Sequence, residues 1–374
     1  MIEIQEVKTK KQQKQFVDFP TALYENCPYY VHPLRMDEIN NFNPKKNVSY
    51  DDCETACFLA IEDGRVVGRI AAIIQKLYNE KVGEKRVRFS RFDCVNNPEV
   101  ANALFASAEK WAKEKGMEII HGPLGFNDLD REGLLIEGFD QPQTFEEQYN
   151  YPYYQTLIEN YGFVKEKDWL EFKIFIPEKV DERIERLSTA VLKRYNLKLV
   201  TAKSKNQFIK QYKKQIFEVL DEAYGSLHGV VPFTDKLRDQ IISQFKLFIR
   251  KEFIIVITDA SDNVVAFGFA IPSLSEAVRK SKGRITLPAL FRVIHAVKKP
   301  KIVDFALVGV KSDYQGKGLT AVIMKYLIEE INRMGVEYCE TNLNLEDNLK
   351  IQQTWKNFEH EQHKRRRCFV KNIE

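Results

Sequence analysis

The chain has 374 residues, 44% of them apolar and 29% charged, with a net charge of +4. That length favours two domains, and that composition supplies packed cores beneath an ordinary polar surface. The small net charge gives no electrostatic case for nucleic-acid binding, and no apolar run approaches the ~20 residues that span a bilayer.

The first seven residues lack the basic-then-apolar pattern of a secretory signal. The six cysteines are scattered, and Cys53 and Cys57 meet no second ligand pair at zinc spacing. Free thiols in a reducing cytoplasm, and no metal, are expected.

Residues 2–7 alternate as a strand does. Residues 11–24 read as a helix with Phe16, Phe19 and Leu23 on one face and Pro20 as a kink or break. Residues 26–52, rich in Pro, Asn and Tyr, read as a long irregular connection packed by its rings. Strands at 57–61 and 66–73 flank Asp63-Gly64 as a hairpin. A strand over 86–95 leads to a helix from Pro98 to Lys115, closed by Gly116. A strand at 117–121, a helix at 153–161 ended by Gly162, and a strand at 169–176 complete this half. Between them, 122–151 is an insertion carrying Asp128, Asp130, Arg131, Glu132, Glu137, Asp140, Glu146 and Glu147. A metal or acceptor site is one reading of it. Charge runs usually face water, so a solvated acidic loop is the expectation.

Residues 178–196 are charged and helix-prone and read as a linker. A strand at 197–201 and a helix at 207–223 follow. His228 then lies between Gly225 and Gly229, as a base, an acceptor contact or, most simply, a loop-packing ring. Thr234 caps a helix running to 249, and strands at 253–258 and 264–271 form a hairpin. Residues 272–300 then insert roughly thirty residues where a short connection is usual. Within them, 287–299 sets Leu290, Phe291, Val293, Ile294 and Val297 among Arg292, His295, Lys298 and Lys299. Such a helix can lie on a membrane, but a lid or packing helix is the expectation, with weak surface association as the alternative. The tail Lys364-Arg365-Arg366-Arg367 alternates into Cys368, Phe369 and Val370 like a strand end, without the aromatic interleaving that stacks bases.

The most informative stretch runs from Asp304 to Asn348. A strand at 304–310 enters the turn Lys311-Ser312-Asp313-Tyr314-Gln315-Gly316-Lys317-Gly318. A helix follows, with apolar residues at 319, 322, 323, 326, 327 and 331, and then a strand at 336–344. The first amides of a helix have no internal acceptor and carry the positive end of its dipole. Gly316 and Gly318 let an anion approach them closely, and Lys317 adds a cation, so the turn is suited to a pyrophosphate; the plainer reading is a strand-to-helix turn that needs glycine only for its geometry.

This unit, together with a second helix at 349–358, resembles the acyl-CoA-binding core of the GNAT N-acetyltransferase superfamily. Gln315 and Gly318 match the family's loop signature, while Thr320 stands at its final small position and Ser312 where proline is common. Glu346-Asp347-Asn348 resembles the segment that starts the second helix. The run from Tyr153 to Phe163, with Gly162-Phe163, resembles the family's late helix, so the first half is read as another copy. The resemblance implies an α/β fold of two tandem GNAT-like domains, 1–177 and 197–374, joined by the linker 178–196. Each would be a mixed, mostly antiparallel sheet flanked by helices. In the first copy the strand runs into Asn96-Asn97-Pro98-Glu99, with no glycine and an acid at the helix start. It is read as having lost its cofactor site.

The resemblance further implies a cytoplasmic acyl-CoA-dependent N-acyltransferase, with acetyl-CoA the expected donor and another acyl-CoA the alternative. The acceptor would be a small-molecule or peptide amine. The backbone from Val308 to Val310 would pair with pantetheine. Gln315, Gly316, Lys317, Gly318, Leu319 and Thr320 would hold the phosphates, and Asn344 and Asn348 would contact the cofactor or acceptor. The amine attacks the thioester directly while a base takes its proton. Glu340 is the first candidate base, Glu346 the second and His228 the third. Two alternatives stand beside this: aminoacyl transfer from charged tRNA, as in tandem-GNAT peptidyltransferases, and a non-catalytic CoA-binding or scaffold protein.

Overall fold

A computed structural model describes residues 1–201 and 204–373. The first half contains β1 (Glu3–Glu6), α1 (Lys10–Leu23), α2 (Arg35–Asn41), β2 (Cys53–Glu62), β3 (Arg65–Gln75), α3 (Lys76–Val82), β4 (Arg86–Cys94), α4 (Pro98–Glu114), β5 (Ile119–Gly122), β6 (Leu134–Glu137), α5 (Tyr153–Asn160) and β7 (Val164–Phe175). The second contains α6 (Glu182–Arg194), β8 (Lys198–Thr201), α7 (Lys205–Tyr224), α8 (Asp235–Phe245), β9 (Ile254–Thr258), β10 (Val264–Pro272), α9 (Ser275–Arg279), α10 (Leu287–Lys298), β11 (Ile302–Val310), α11 (Leu319–Met334), β12 (Tyr338–Thr341), β13 (Asn344–Leu345), α12 (Leu349–Trp355) and β14 (Glu359–Asn372).

Local chemistry sets many of the boundaries. Asp63 and Gly64 both have positive φ, 48° and 74°, the twist a two-residue hairpin needs. The Thr9 side chain and Gln12 close the start of α1 reciprocally, and Pro20 is held inside that helix without ending it. The Thr234 hydroxyl accepts from the Leu237 N–H at the start of α8.

The strands form one mixed sheet in the order β1-β2-β3-β4-β5-β14-β7-β12-β11-β10-β9-β8, with β6 on β14 and β13 on β7. The order is not that of the chain. The closing strand of the first half, β7, pairs with β12 of the second, and β14 pairs with β5 of the first. β7 and β14 run antiparallel along nearly their whole length, so each half is completed by a strand of the other. The basic run of the tail is absorbed at this seam. Arg366 Nε donates to Glu171 at 2.6 Å and Arg367 Nε to Asp168 at 2.8 Å.

One core lies under α4 and α5 and includes Phe89, Leu104, Phe105 and Ile158. Another lies under α11 and includes Ile255, Ile257, Phe305, Ile323 and Trp355. The segment 178–196, expected as a linker, forms α6, and Val191 on that helix joins the second core beside Leu319 and Val322. Its charged face is solvated while its apolar stripe packs, which is the ordinary behaviour of an amphipathic helix.

Two further expectations are corrected. The acidic insertion is not a solvated loop: Glu132 and Glu147 are buried. α10 is only partly a packing helix. Val293 and Val297 pack on Val31, Leu34, Leu274 and Val278, but Leu287, Leu290, Phe291 and Ile294 are exposed.

Two places in the sheet have parallel neighbours that diverge. β4 pairs with β5 only from Arg86 to Arg88, and β11 pairs with β12 only from Ile302 to Phe305. Beyond Phe305, β11 keeps β10 on one edge as far as Val310 and, among the described residues, has no strand on the other.

Candidate functional site

The glycine turn after β11 ends in two left-handed residues, Gly316 at φ 73° and Gly318 at φ 85°. No side chain caps the start of α11, so its first amides are open and carry the positive end of the dipole. A side chain at Gly316 would meet nothing within 4 Å, whereas one at Gly318 would meet Val191 of α6 at 3.1 Å. Gly316 therefore faces open space, and Gly318 lets α6 seat against the loop. Lys350 of α12 donates to the Gln315 side chain at 3.3 Å, bringing a cation the sequence did not single out. Lys317 lies over the rings of Tyr314 and Tyr195, at 4.8 and 5.1 Å. Leu319 is buried in the core and offers only its backbone, while Thr320 is half-buried at the loop.

A cavity of about 1660 Å³ takes in Gln315, Gly316, Gly318, Thr320 and Lys350, and continues along the free edge of β11 at Val308 and Val310. At that edge the Tyr224 hydroxyl donates to the Val308 carbonyl at 3.2 Å and accepts from the Val308 N–H at 3.4 Å. The unpaired peptide group meets one hydroxyl where a strand would otherwise lie. Burial pushes the Tyr224 phenol up, so it keeps its proton. One wall of the cavity is apolar and comes from α7 and α8: Phe208, Ile216, Phe217, Leu220, Ile241 and Phe245. Asn344 and Asn348 also line the cavity, but both side chains have structural roles. The Trp355 indole donates to Asn344 at 2.9 Å, and Asn348 caps α12.

His228 lines the same cavity, on the loop after α7. Its Nε2 lies 3.6 Å from Glu166 of β7. Glu166 also meets His121 Nδ1 of β5 at 3.1 Å and Cys368 Sγ of β14 at 3.3 Å. Burial holds the His228 imidazole below its ordinary pKa, against the pull of Glu166, so it is neutral near pH 7. Burial alone would raise the Glu166 pKa, but its hydrogen bonds with His121 and Arg86 hold it well below the carboxylate range. His121, Glu166, His228 and Cys368 place a ligand atom each within 4.8 Å of one another, a spacing at which a metal ion could be held. Arg86 is already bonded to Glu166, which gives the carboxylate a counter-charge without a metal.

The loop carrying His228 is clamped to the first half. Arg88 donates to the Gly229 carbonyl at 2.8 Å, Lys81 to the Val230 carbonyl at 2.8 Å, and Asp128 accepts from the Val231 N–H at 3.3 Å. Asp128, Glu132, Glu146 and Glu147 of the acidic insertion line the cavity here. Burial pushes Asp128 up to about 6 and Glu146 up to about 7, and raises Glu132 and Glu147 above the carboxylate range. Charge composition could not show this, because the topology rather than the local sequence turns these acids inward.

The two carboxylates preferred as bases lie elsewhere. Glu340 does not line the cavity. It is buried 3.9 Å from Lys364, and the shared low-dielectric site raises it and the neighbouring Asp304. Glu346 pairs with Lys165 at 2.7 Å and accepts from the Asp168 N–H at 3.2 Å. Of the three candidates, His228 is the one on the cavity wall.

No family model matches the chain. Over 374 residues it is 27% identical to Protein YghO of Escherichia coli, covering 97% of this chain and 94% of that one. Over 360 residues it is 28% identical to the Bacterial ceramide synthase of Caulobacter vibrioides, covering 91% and 90%. Among solved structures it resembles a tandem GNAT protein from the clavulanic acid biosynthesis pathway, with a TM-score of 0.60, 12% identity and coverage of 100% and 99%. A GCN5-related N-acetyltransferase from Sphaerobacter thermophilus matches with a TM-score of 0.51, 10% identity and coverage of 100% and 96%. The fold is that of the tandem GNAT N-acetyltransferases.

Proposed function

We propose that this tandem GNAT chain transfers a long-chain acyl group from an acyl-CoA thioester to an amine, in the cleft of its second half. One observation carries the reading: a single cavity joins the open helix start at Gly316 to the apolar wall of α7 and α8. At about 1660 Å³ it exceeds the roughly 300–1,000 Å³ of ordinary small-molecule sites. An acetyl group needs no such wall, which favours a longer acyl donor over acetyl-CoA in this reading. The similarity to a protein named as a ceramide synthase supports the same chemistry, since a ceramide is a long-chain amine carrying an N-acyl chain.

In this reading the α11 amides, Lys350 and Lys317 bind the phosphates of the donor. The open edge of β11 around Val308 and Val310, with the Tyr224 hydroxyl on the Val308 peptide, orients its amide-bearing arm, and the apolar wall excludes water from the acyl chain. His228 takes a proton from the amine, and Glu166 stabilises the imidazolium that forms. The C–N bond forms as the C–S bond breaks, and the departing thiolate takes a proton from Tyr224, which regains one from solvent. Incubating the protein with palmitoyl-CoA and sphinganine should release free thiol and yield an amide seen by mass spectrometry, faster than with acetyl-CoA. No amide with any acyl length, or a preference for acetyl-CoA, would overturn the reading.

A further inference from the structure

The acids around His228 do more than line a wall. Glu132 is 8% exposed, and among the described residues no donor or cation lies within bonding distance of its carboxylate. It faces the cavity, 3.8 Å from where a side chain would begin at Gly229, next to His228. Glu147 is 5% exposed, and its Oε2 has no hydrogen-bond partner. The neighbouring cations are engaged elsewhere. Arg88 donates to the Gly125 and Gly229 carbonyls, Arg91 pairs with Glu38 and Asp130, and Lys364 pairs with Glu171, while Arg366 is bonded to Glu171 at 2.6 Å and reaches Glu147 Oε2 only at 3.9 Å. Burying a carboxylate without a partner is costly, and such a group persists where a ligand or reaction uses it.

We infer that Glu132, backed by Glu147 and Asp128, is the subsite that binds the ammonium form of the acceptor amine. This rests on the N-acyl transfer reading above, and it gives the first half its role: it recognises the acceptor while the second half holds the thioester. An ammonium group must lose one proton before it attacks and a second as the amide forms. Glu132 is placed for the first transfer and His228 for the second. The class of ligand is a cationic primary amine on an apolar body, since Trp169, Leu227, Leu343 and Leu345 line the cavity beside His228.

The test is calorimetric binding to the full chain. The probes are sphinganine below its micellar concentration, its neutral N-acetyl derivative, and a non-hydrolysable thioether of palmitoyl-CoA. Glu132→Gln should weaken sphinganine roughly 30-fold or more and leave the neutral amide and the thioether unchanged. Glu147→Gln should weaken sphinganine less. A thermal midpoint at or above that of the unmodified protein would show that Glu132→Gln folds, as expected where burial already favours the neutral acid that Gln mimics. Unchanged sphinganine affinity in both variants would overturn the inference. Failure of the unmodified protein to bind the thioether would instead count against the acyl-transfer reading, so the two can fail separately.

A separate observation concerns α10 and the turn before it. Leu287 and Phe291 are 75% and 70% exposed, and Ile285, Leu290 and Ile294 are exposed beside them. Arg284, Lys298 and Lys299 flank this apolar face with no counter-ion among the described residues. No helix of the described residues is long and apolar enough to cross a membrane. We propose that this face lies on an anionic bilayer surface, the apolar residues entering the headgroup boundary and the cations meeting lipid phosphates. The protein should co-sediment with phosphatidylglycerol vesicles, less with phosphatidylcholine, and less at high salt. Leu287→Ser with Phe291→Ser should abolish sedimentation without lowering the thermal midpoint. Equal sedimentation of the double variant, no sedimentation of the unmodified protein, or self-association through this face in size-exclusion chromatography would overturn it.

Discussion

The molecule contains the same strand–turn–helix unit twice, and the two copies differ where an anion would sit. In the first, β4 enters α4 through Asn97, whose side chain accepts from the Glu99 N–H at 2.9 Å, with Pro98 and Glu99 in the first turn. That helix start is closed by its own cap and faced by a carboxylate. In the second, α11 starts at left-handed Gly318 with no side-chain cap and with Lys350 nearby. The wedges between diverging strands differ in the same direction. Past the β4–β5 pairing the chain folds back, and the Leu124 N–H bonds the Phe89 carbonyl at 2.9 Å. Past the β11–β12 pairing, the edge of Val308 turned away from β10 meets the Tyr224 hydroxyl. A shared fold thus supports two uses, with the filled copy free to supply walls and acids to the open one.

This contrast can be broken most severely at the base. His228→Ala should lower the acyl-transfer rate by about two to four powers of ten while leaving thioether binding intact. The pH profile sharpens the assignment. A base must be neutral to act, and burial lowers the His228 pKa, so the acid limb should lie below that of a free imidazole. Glu166 favours the imidazolium, so Glu166→Gln should move that limb to still lower pH. An unmoved limb would remove the pair from the mechanism.

Thr320→Glu would make the second helix start resemble the first. A carboxylate in the first turn should weaken thioether binding roughly 10- to 100-fold, while stability holds or rises by about 0.3–1 kcal/mol through the helix dipole. Opposite signs for binding and stability distinguish this from simple damage. Gly318→Ala should act chiefly on stability. Its left-handed backbone and the 3.1 Å approach to Val191 predict a loss of about 1–2 kcal/mol in urea denaturation. Loss of binding with unchanged stability would mean that Gly318 faces the ligand after all.

Much of the second copy was legible because its signal is local. The glycine turn, the apolar period of α11 and the order of elements all lie within one stretch, and the Asn97–Glu99 contrast lies within another. The exchange of β7 and β14 was not legible, since strand pairing across the chain leaves no local pattern. Its consequences were hidden with it. Arg366 and Arg367 find Glu171 and Asp168 only once those strands pair. Glu132 and Glu147 turn inward only because their loop is wedged against the second half. Glu340 was favoured by its position along β12, but sequence order does not say which face a side chain takes. The charged composition of 178–196 suggested a linker because the apolar stripe that seats Val191 is narrow.

The central claim is that one copy is open to an acyl-CoA and the other closed, and a titration counts this directly. The halves exchange strands, so the full chain is the proper sample. Calorimetry with the non-hydrolysable palmitoyl-CoA thioether should give one site per chain, greatly weakened by Thr320→Glu and unaffected by Glu99→Gln. Two equivalent sites, or a single site that responds to Glu99→Gln and not to Thr320→Glu, would contradict the account.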